Sequence, residues 1–422
     1  MQATLLESLR ETPAGREAEG VLRKCVHCGF CLATCPTYQL LGDELDSPRG
    51  RIYLIKQVLE GHTPTAKTQL HLDRCLTCRA CETTCPSGVE YHKLLDTGRA
   101  LVDSQVARSP AERLRHLALR TVLPRRWLFG VLVALGRMFS WLLPGLLRRQ
   151  LGDNSVMPAK AGIQRLRDTG SRLSPGRQVL LLQGCVQPAL RPRINAAAAR
   201  VLDRAGISAI EVPAAGCCGA LRFHAGAQDD GRNDMRRLID AWWPHIEAGA
   251  VEAIVITASG CGAHLKDYGR LLRDDPAYTA KAARVAALAK DLAEVAEAES
   301  DKLFPVASHG KHAFVPVAFQ SPCTLQHGQQ ITGAVELLLK AAGYELTPVA
   351  DSHLCCGSAG TYSILQPQLA GRLRANKLAA LSAGHPAIIA TANIGCLTHL
   401  AAGSGIPVKH WIELLDERLG RA

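Results

Sequence analysis

Sixteen of the 422 residues are cysteine, and half of them fall in two short runs of one form. The first is Cys25-Val-His-Cys28-Gly-Phe-Cys31-Leu-Ala-Thr-Cys35-Pro36, and the second is Cys75-Leu-Thr-Cys78-Arg-Ala-Cys81-Glu-Thr-Thr-Cys85-Pro86. Thiolates are soft, anionic ligands suited to iron–sulfur clusters. In a CxxCxxCxxxCP run three closely spaced sulfurs wrap one corner of a cubane, and the fourth reaches the other cluster. The pattern therefore assigns Cys25, Cys28, Cys31 and Cys85 to one [4Fe–4S] cluster, and Cys75, Cys78, Cys81 and Cys35 to a second. Structural zinc sites also use CxxC pairs, but zinc gives no reason for the whole run to recur. Within the loops, His27 reads as a surface residue and Arg79 as a solvated cation.

The other eight cysteines form a repeat of a different kind. In its first half VLLLQG (179–184) leads to Cys185, INAAAARVLDRAG follows, IEVP leads to Cys217-Cys218-Gly219, and EAIVITASG (252–260) delivers Cys261. In its second half FVPVAFQSP leads to Cys323, GAVELLLKAAG follows, ELTPVADSHL leads to Cys355-Cys356-Gly357, and AIIATANIG (387–395) delivers Cys396. The first cysteine precedes the pair by 32 positions in both halves, whereas the third limb runs 43 positions in one and 40 in the other. Two sulfurs at one corner, joined by two from neighbouring strand ends, suit a further iron–sulfur cluster or redox thiols. Buried or disulfide-forming thiols are the plainer alternative. Gly219 and Gly357 are expected to let the backbone approach a cluster closely.

The elements that must position these residues follow from the pattern. Apolar strands alternating with Ala/Leu helices imply two α/β units with mainly parallel sheets. Each cysteine then lies just past a strand's C-terminal end, where open α/β sheets place their chemistry. KAARVAALAKDLAEVAEAES, between the halves, has the periodicity of a connecting helix, and SPRGRIYLIKQVLEG that of a helix between the two cysteine runs. The expected fold is α+β, with an N-terminal α-helical domain over 1–98 and a basic, Leu/Arg-rich linker over 99–177. Two α/β cysteine-rich units follow, over 178–290 and 291–422.

Composition narrows the function. The opening MQATLLESLRETPAGREAEG is interrupted by charges and lacks the apolar core of a signal peptide, so the cysteines read as metal-binding or redox groups in the cytosol. An aromatic content of 5% argues against a base-stacking surface, and no nucleic acid partner is expected. Residues 99–177 hold 15 Lys and Arg against four acids, which places the whole net charge of +11 there. Such a block points to an anionic membrane surface or an acidic partner, or is an ordinary solvated face. Trp127–Leu147, WLFGVLVALGRMFSWLLPGLL, has Arg137 at its middle and arginines at both ends. That suits a helix packed on protein or lying in a membrane interface better than a span. No GxGxxG follows a strand at the start of an α/β unit, so no dinucleotide site is read.

The spacing of the two runs resembles the α-helical ferredoxin domain of respiratory dehydrogenase subunits. The Cys…CCG…Cys pattern resembles the cysteine-rich domain of heterodisulfide reductases, in which such repeats can bind an unusual cluster. There the third limb ends in CxxC, whereas this chain has Cys261-Gly-Ala-His264 and Cys396-Leu-Thr-His399. The order of parts is shared with anaerobic glycerol-3-phosphate dehydrogenase and glycolate oxidase iron–sulfur subunits. The segments GCVQPALRPRINAAAARVLDRAGI, GCCGALRFH, TASGCGAH and SPCTLQHGQ resemble the latter most. The resemblance implies a non-catalytic electron-transfer subunit of a membrane-associated glycolate dehydrogenase, peripheral on the inner face of the cell membrane. Flavin-binding partner subunits would oxidise glycolate to glyoxylate, and also D-lactate, and electrons would pass to a quinone or another acceptor. Three alternatives stay open: a thiol–disulfide reductase acting through Cys217, Cys218, Cys355 and Cys356, the electron-transfer subunit of an anaerobic glycerol-3-phosphate dehydrogenase, and a non-redox metal-stabilised scaffold.

Overall fold

A computed structural model describes residues 1–142, 164–165, 176–305 and 315–420. The N-terminal region is helical. Thr12 caps the helix Pro13–Lys24 by accepting from the Gly15 N–H, and Ser47 caps Pro48–Leu59 by accepting from Gly50. In both helices Pro sits in the first turn, where its missing N–H costs nothing. Ala66–Asp73 and Tyr91–Gln105 complete the bundle, and Leu22, Ile55, Leu59, Leu94 and Leu95 are fully buried between them. Each such side chain contributes about 1.5–3 kcal/mol. The bundle therefore holds the cysteine loops on a packed frame.

Two parallel sheets follow. The first contains β1 (Gln164–Arg165), β2 (Arg177–Leu182), β3 (Ile207–Glu211), β4 (Ala253–Ile256) and β5 (Ala289–Asp291), in the order β1-β3-β2-β4-β5. The second contains β6 (Val315–Gln320), β7 (Tyr344–Leu346), β8 (Ile388–Thr391) and β9 (Val408–His410), in the order β7-β6-β8-β9. Every strand pairing is parallel. Apart from β1 the two orders are the same, so the repeat read from the cysteines is a repeat of fold, and the α+β class holds. A single apolar core joins the two units, running from β2 and the helix Arg193–Arg204 through Leu292–Ala298 to β6 and the C-terminal helix Trp411–Leu419.

The structure differs from the sequence expectations in three places. The single connecting helix is instead two helices, Thr279–Leu288 and Leu292–Ala298, separated by β5. The β5 backbone pairs with β4, and Asp291 at its end caps the second helix in a capping box with Glu294. Tertiary pairing overrides the local helical pattern there. A boundary at 98 falls inside the helix Tyr91–Gln105, and one at 290 falls inside β5. The basic segment is not uniformly solvated. Arg99 donates to the Leu72 and Cys75 carbonyls, Arg108 pairs with Asp73 and Asp103, and Arg120 donates to the Ala225 carbonyl at 2.9 Å. Its described helices are Pro110–Val122 and Arg126–Met138, and residues 143–163 and 166–175, with Arg148 and Arg149, lie outside the described residues. Among the described residues no helix is long and apolar enough to cross a membrane.

Candidate metal centres

The two N-terminal loops fold alike. His27 and Thr77, and Gly29 and Arg79, occupy matching places and all have left-handed backbone, with φ of 56°, 54°, 88° and 63°. Three of the four are not glycine, and Thr is β-branched, so this conformation is held against a local preference. Thr77 N–H donates to Cys75 Sγ at 3.4 Å. Helix ends deliver the other sulfurs. Cys25 terminates Pro13–Lys24, Cys35 opens Pro36–Leu41, and Cys81 lies in the single turn Ala80–Thr83.

The result is two adjoining cavities. Cys25, Cys28, Cys31 and Cys85 line one, and Cys35, Cys75, Cys78 and Cys81 line the other. The fourth cysteine of each run thus lies in the cavity of the other run. Cys81 and Tyr91 line both, so the two share a wall. The first cavity reaches solvent, where Cys28 is exposed beside Val26 and Phe30. In the second, Cys35, Cys75 and Cys81 are buried.

The donor sets fit a polynuclear cluster. Tetrahedral zinc with Zn–S near 2.3 Å would bring four sulfurs within about 3.8 Å of one another. Among the described residues no three cysteine sulfurs lie mutually within 4.8 Å. The sulfurs stand around a space rather than around a point. Burial pushes the Cys25, Cys78 and Cys81 thiols up, and Cys31 up to about 11. Thiolates in such places need a compensating positive group, which iron would supply.

In each cysteine-rich unit the four sulfurs also converge. Cys185, Cys217, Cys218 and Cys261 form a chain of thiol contacts, and Cys323, Cys355, Cys356 and Cys396 form its counterpart. The hydrogen bond to Cys217 and burial push the Cys185 thiol up; the bond to Cys355 and burial do the same for Cys323. All sixteen cysteines are free. Gly219 and Gly357 both have φ of +88°, and each donates its N–H to the first sulfur of its pair, Cys217 or Cys355, at 3.4 Å. A Cβ at Gly219 would stand 2.5 Å from the Gly231 carbonyl oxygen, and one at Gly357 would stand 2.7 Å from that of Ala370. These glycines are therefore required by the left-handed turn and by close approach to a helix, and the turn brings their N–H groups to the first sulfur of each pair.

The second unit abuts the second N-terminal cavity. Leu76 and Cys78 pack with Cys323, Cys355 and Tyr362, and Thr83 Oγ1 lies 2.9 Å from His327 Nδ1. The first unit meets the bundle through charge instead, with Arg270 on Asp96 at 3.0 Å and on Glu17 at 3.2 Å. The two CxxH histidines part company. His399 Nε2 donates to the Ala370 carbonyl at 3.2 Å, whereas His264 Nε2 is buried with no partner among the described residues. His264 packs against Phe223, His224 and Tyr268. Arg79, read as solvated, is partly buried and pairs with Glu82 at 3.0 Å.

A model of the 4Fe–4S dicluster domain matches residues 21–89, and one of the cysteine-rich domain matches 179–266 and 317–401. The glycolate oxidase iron–sulfur subunit of Escherichia coli (strain K12) is 53% identical over 99% of both chains. The chain belongs to the family of glycolate oxidase iron–sulfur subunits. A probable glycolate oxidase iron–sulfur subunit of Bacillus subtilis (strain 168) is 32% identical over 96% of both chains. Lactate utilization protein A of Bacillus licheniformis is 25% identical over 57% of this chain and all of its own length. As a member of this family the chain is an iron–sulfur protein of an oxidoreductase complex, and the matched segments contain all sixteen cysteines.

Sequence reasoning passed over two buried cations. Arg51 lies in the second cavity's wall and Lys377 beside the second unit's thiols; they are 1% and 4% exposed. The signal for Arg51 was present, because it stands one helical turn before Ile55 on the apolar stripe of SPRGRIYLIKQVLEG.

Proposed function

We propose that this chain is the electron-transfer subunit of a glycolate-oxidising complex. Flavin-binding partner subunits oxidise glycolate to glyoxylate, and also D-lactate, and this chain carries their electrons to a quinone or another acceptor. It does no substrate chemistry of its own. Cys25, Cys28, Cys31 and Cys85 hold one [4Fe–4S] cluster, and Cys35, Cys75, Cys78 and Cys81 hold another. The CCG cysteines hold a further iron–sulfur cluster. Each cluster supplies a one-electron centre, which suits removing a flavin's two electrons in steps.

One observation carries this reading: two four-thiol cavities share the wall of Cys81 and Tyr91, and the second abuts the Cys323 and Cys355 thiols. The bundle fixes the sulfurs, buries Cys35, Cys75 and Cys81 in the second cavity, and leaves the first accessible at Cys28. Attachment to the inner face of the cytoplasmic membrane is supported by an exposed apolar face on the helices Pro110–Val122 and Arg126–Met138. Leu114, Leu117, Trp127, Val131 and Leu135 are exposed there beside Arg113, Arg115 and Arg125.

The test combines the purified chain with the flavin subunits. Glycolate should then bleach the visible cluster absorbance, and the isolated chain should oxidise no glycolate. Glycolate oxidation by the chain alone, or clusters that stay oxidised with active partners, would overturn the assignment.

A further inference from the structure

A buried cation stands in the wall of the second cavity. Arg51 is fully buried there, with Nη1 4.0 Å from Cys35 Sγ. Both its Nη atoms donate to Thr37 Oγ1 at 3.1 Å, and Thr37 Oγ1 is 3.3 Å from the same sulfur. Its Nε donates to the His71 carbonyl at 2.7 Å. The carboxylate of Asp46, also fully buried, faces it at 3.3 Å but is shared with Arg74 at 2.8 Å and with His71 Nδ1 at 3.1 Å. Arg51 and Arg74 thus share the Asp46 carboxylate, with the exposed Asp43 carboxylate within 4.8 Å of it, and the Arg51 guanidinium is the cation that reaches Cys35 Sγ. The first cavity has cations of its own, since the N-terminal ammonium donates to the Cys25 carbonyl at 2.7 Å. Arg49 on its rim is paired one to one with Glu44 at 2.7 Å, and both side chains are a third or more exposed, at 33% and 43%.

Reducing a cluster adds one negative charge. A buried cation close by stabilises that charge far more than a solvated, neutralised pair does, because the intervening medium screens less. We infer that Arg51 is a positioning residue that raises the reduction potential of the cluster at Cys35, Cys75, Cys78 and Cys81. The inference rests on the two-cluster reading.

The experiment is redox titration of the full chain with bound clusters, followed by electron paramagnetic resonance. Removing the cation in Arg51→Gln should lower the midpoint of one cluster and leave the other in place. Asp46→Asn removes the anion and should raise that same midpoint, and Arg51→Lys should stay near the parent. Iron content reports separately on the underlying reading, because chains with less than two clusters' iron in the parent would sink that reading first. Full iron in the variants with both midpoints unmoved would overturn the inference. So would equal loss of one cluster in all three variants, which would make the network purely structural.

Discussion

The two cysteine-rich units share a strand order, a left-handed CCG glycine and an N–H···S contact of 3.4 Å, yet their sulfurs sit in different surroundings. Seven residues beyond the carbonyl that covers the glycine, the first unit has Leu238 and the second has Lys377, both buried. The Lys377 ammonium donates to the Asp351 carbonyl at 2.8 Å, close to Cys323, Cys355 and Cys356. Cys185 is followed by a helical turn, Gln187–Leu190, and Cys323 by a π-helical one, Thr324–Gly328. Such π turns recur at functional sites. The second unit also touches the second N-terminal cavity through Cys78. One ligand pattern has thus been kept in two settings, one apolar and remote, the other cationic and in contact with the neighbouring centre. Charge and contact, not the number of thiols, distinguish the units.

The largest effect expected from this difference is kinetic. In the assembled complex Cys323→Ser should slow glycolate-driven acceptor reduction about tenfold or more, a loss of about 1.4 kcal/mol in transition-state terms. Cys185→Ser should slow it less. Equal losses would break the comparison, and a larger loss for Cys185→Ser would reverse it.

What the units share is tested by stability. Gly219→Ala and Gly357→Ala each add a Cβ to a left-handed residue, under 3 Å from a helix carbonyl. Each should cost roughly 2–4 kcal/mol in urea unfolding, with the two costs alike. A neutral substitution at either position would show that the common turn is not obligatory.

The seam between the units should respond to acid. His410 ends β9, is fully buried, and donates from Nε2 to the Thr257 carbonyl of the first unit at 3.0 Å. Burial lowers its pKa from 6.5 to about 4. The fold therefore favours the neutral ring, so this contribution is complete above pH 6.5 and falls away as the pH drops towards 4. Each tenfold weakening of proton binding is equivalent to about 1.4 kcal/mol, so the loss is about 3 kcal/mol. Glu413, which accepts from the His410 backbone N–H and whose carboxyl burial pushes up, offsets part of it. Melting temperature against pH should show a slope between 6.5 and 4 that flattens in His410→Gln. An unchanged slope would place the acid sensitivity elsewhere.

The smallest expected effect belongs to the lysine itself. Lys377→Leu copies the first unit into the second and should change the stability of the metal-free chain by about 1 kcal/mol or less, since a buried charge is exchanged for a well-packed apolar group. Acceptor reduction should nevertheless slow. A large fall in stability with no change in rate would make Lys377 a strut for the loop at Asp351 and Ser352.

Much of this was legible in the chain. The cysteine spacings located both N-terminal loops and both repeats, because ligand chemistry demands fixed residue types at fixed intervals. The alternation of apolar runs with Ala/Leu stretches announced parallel α/β units, because a buried parallel strand must be apolar on both faces. Local pattern failed where distant partners intervened. The Ala-rich stretch after Thr279 breaks for β5 because β4 offers it backbone hydrogen bonds. Arg99, Arg108 and Arg120 of the basic segment turn inward because carbonyls and carboxylates at Leu72, Asp73 and Ala225 meet them. The sequence alone determined which cysteines recur together and at what spacing. Only the tertiary structure decided which thiols stand beside a buried cation and which centre touches the next. Those properties depend on distance and dielectric between residues far apart in the chain, and spacing along a chain carries neither.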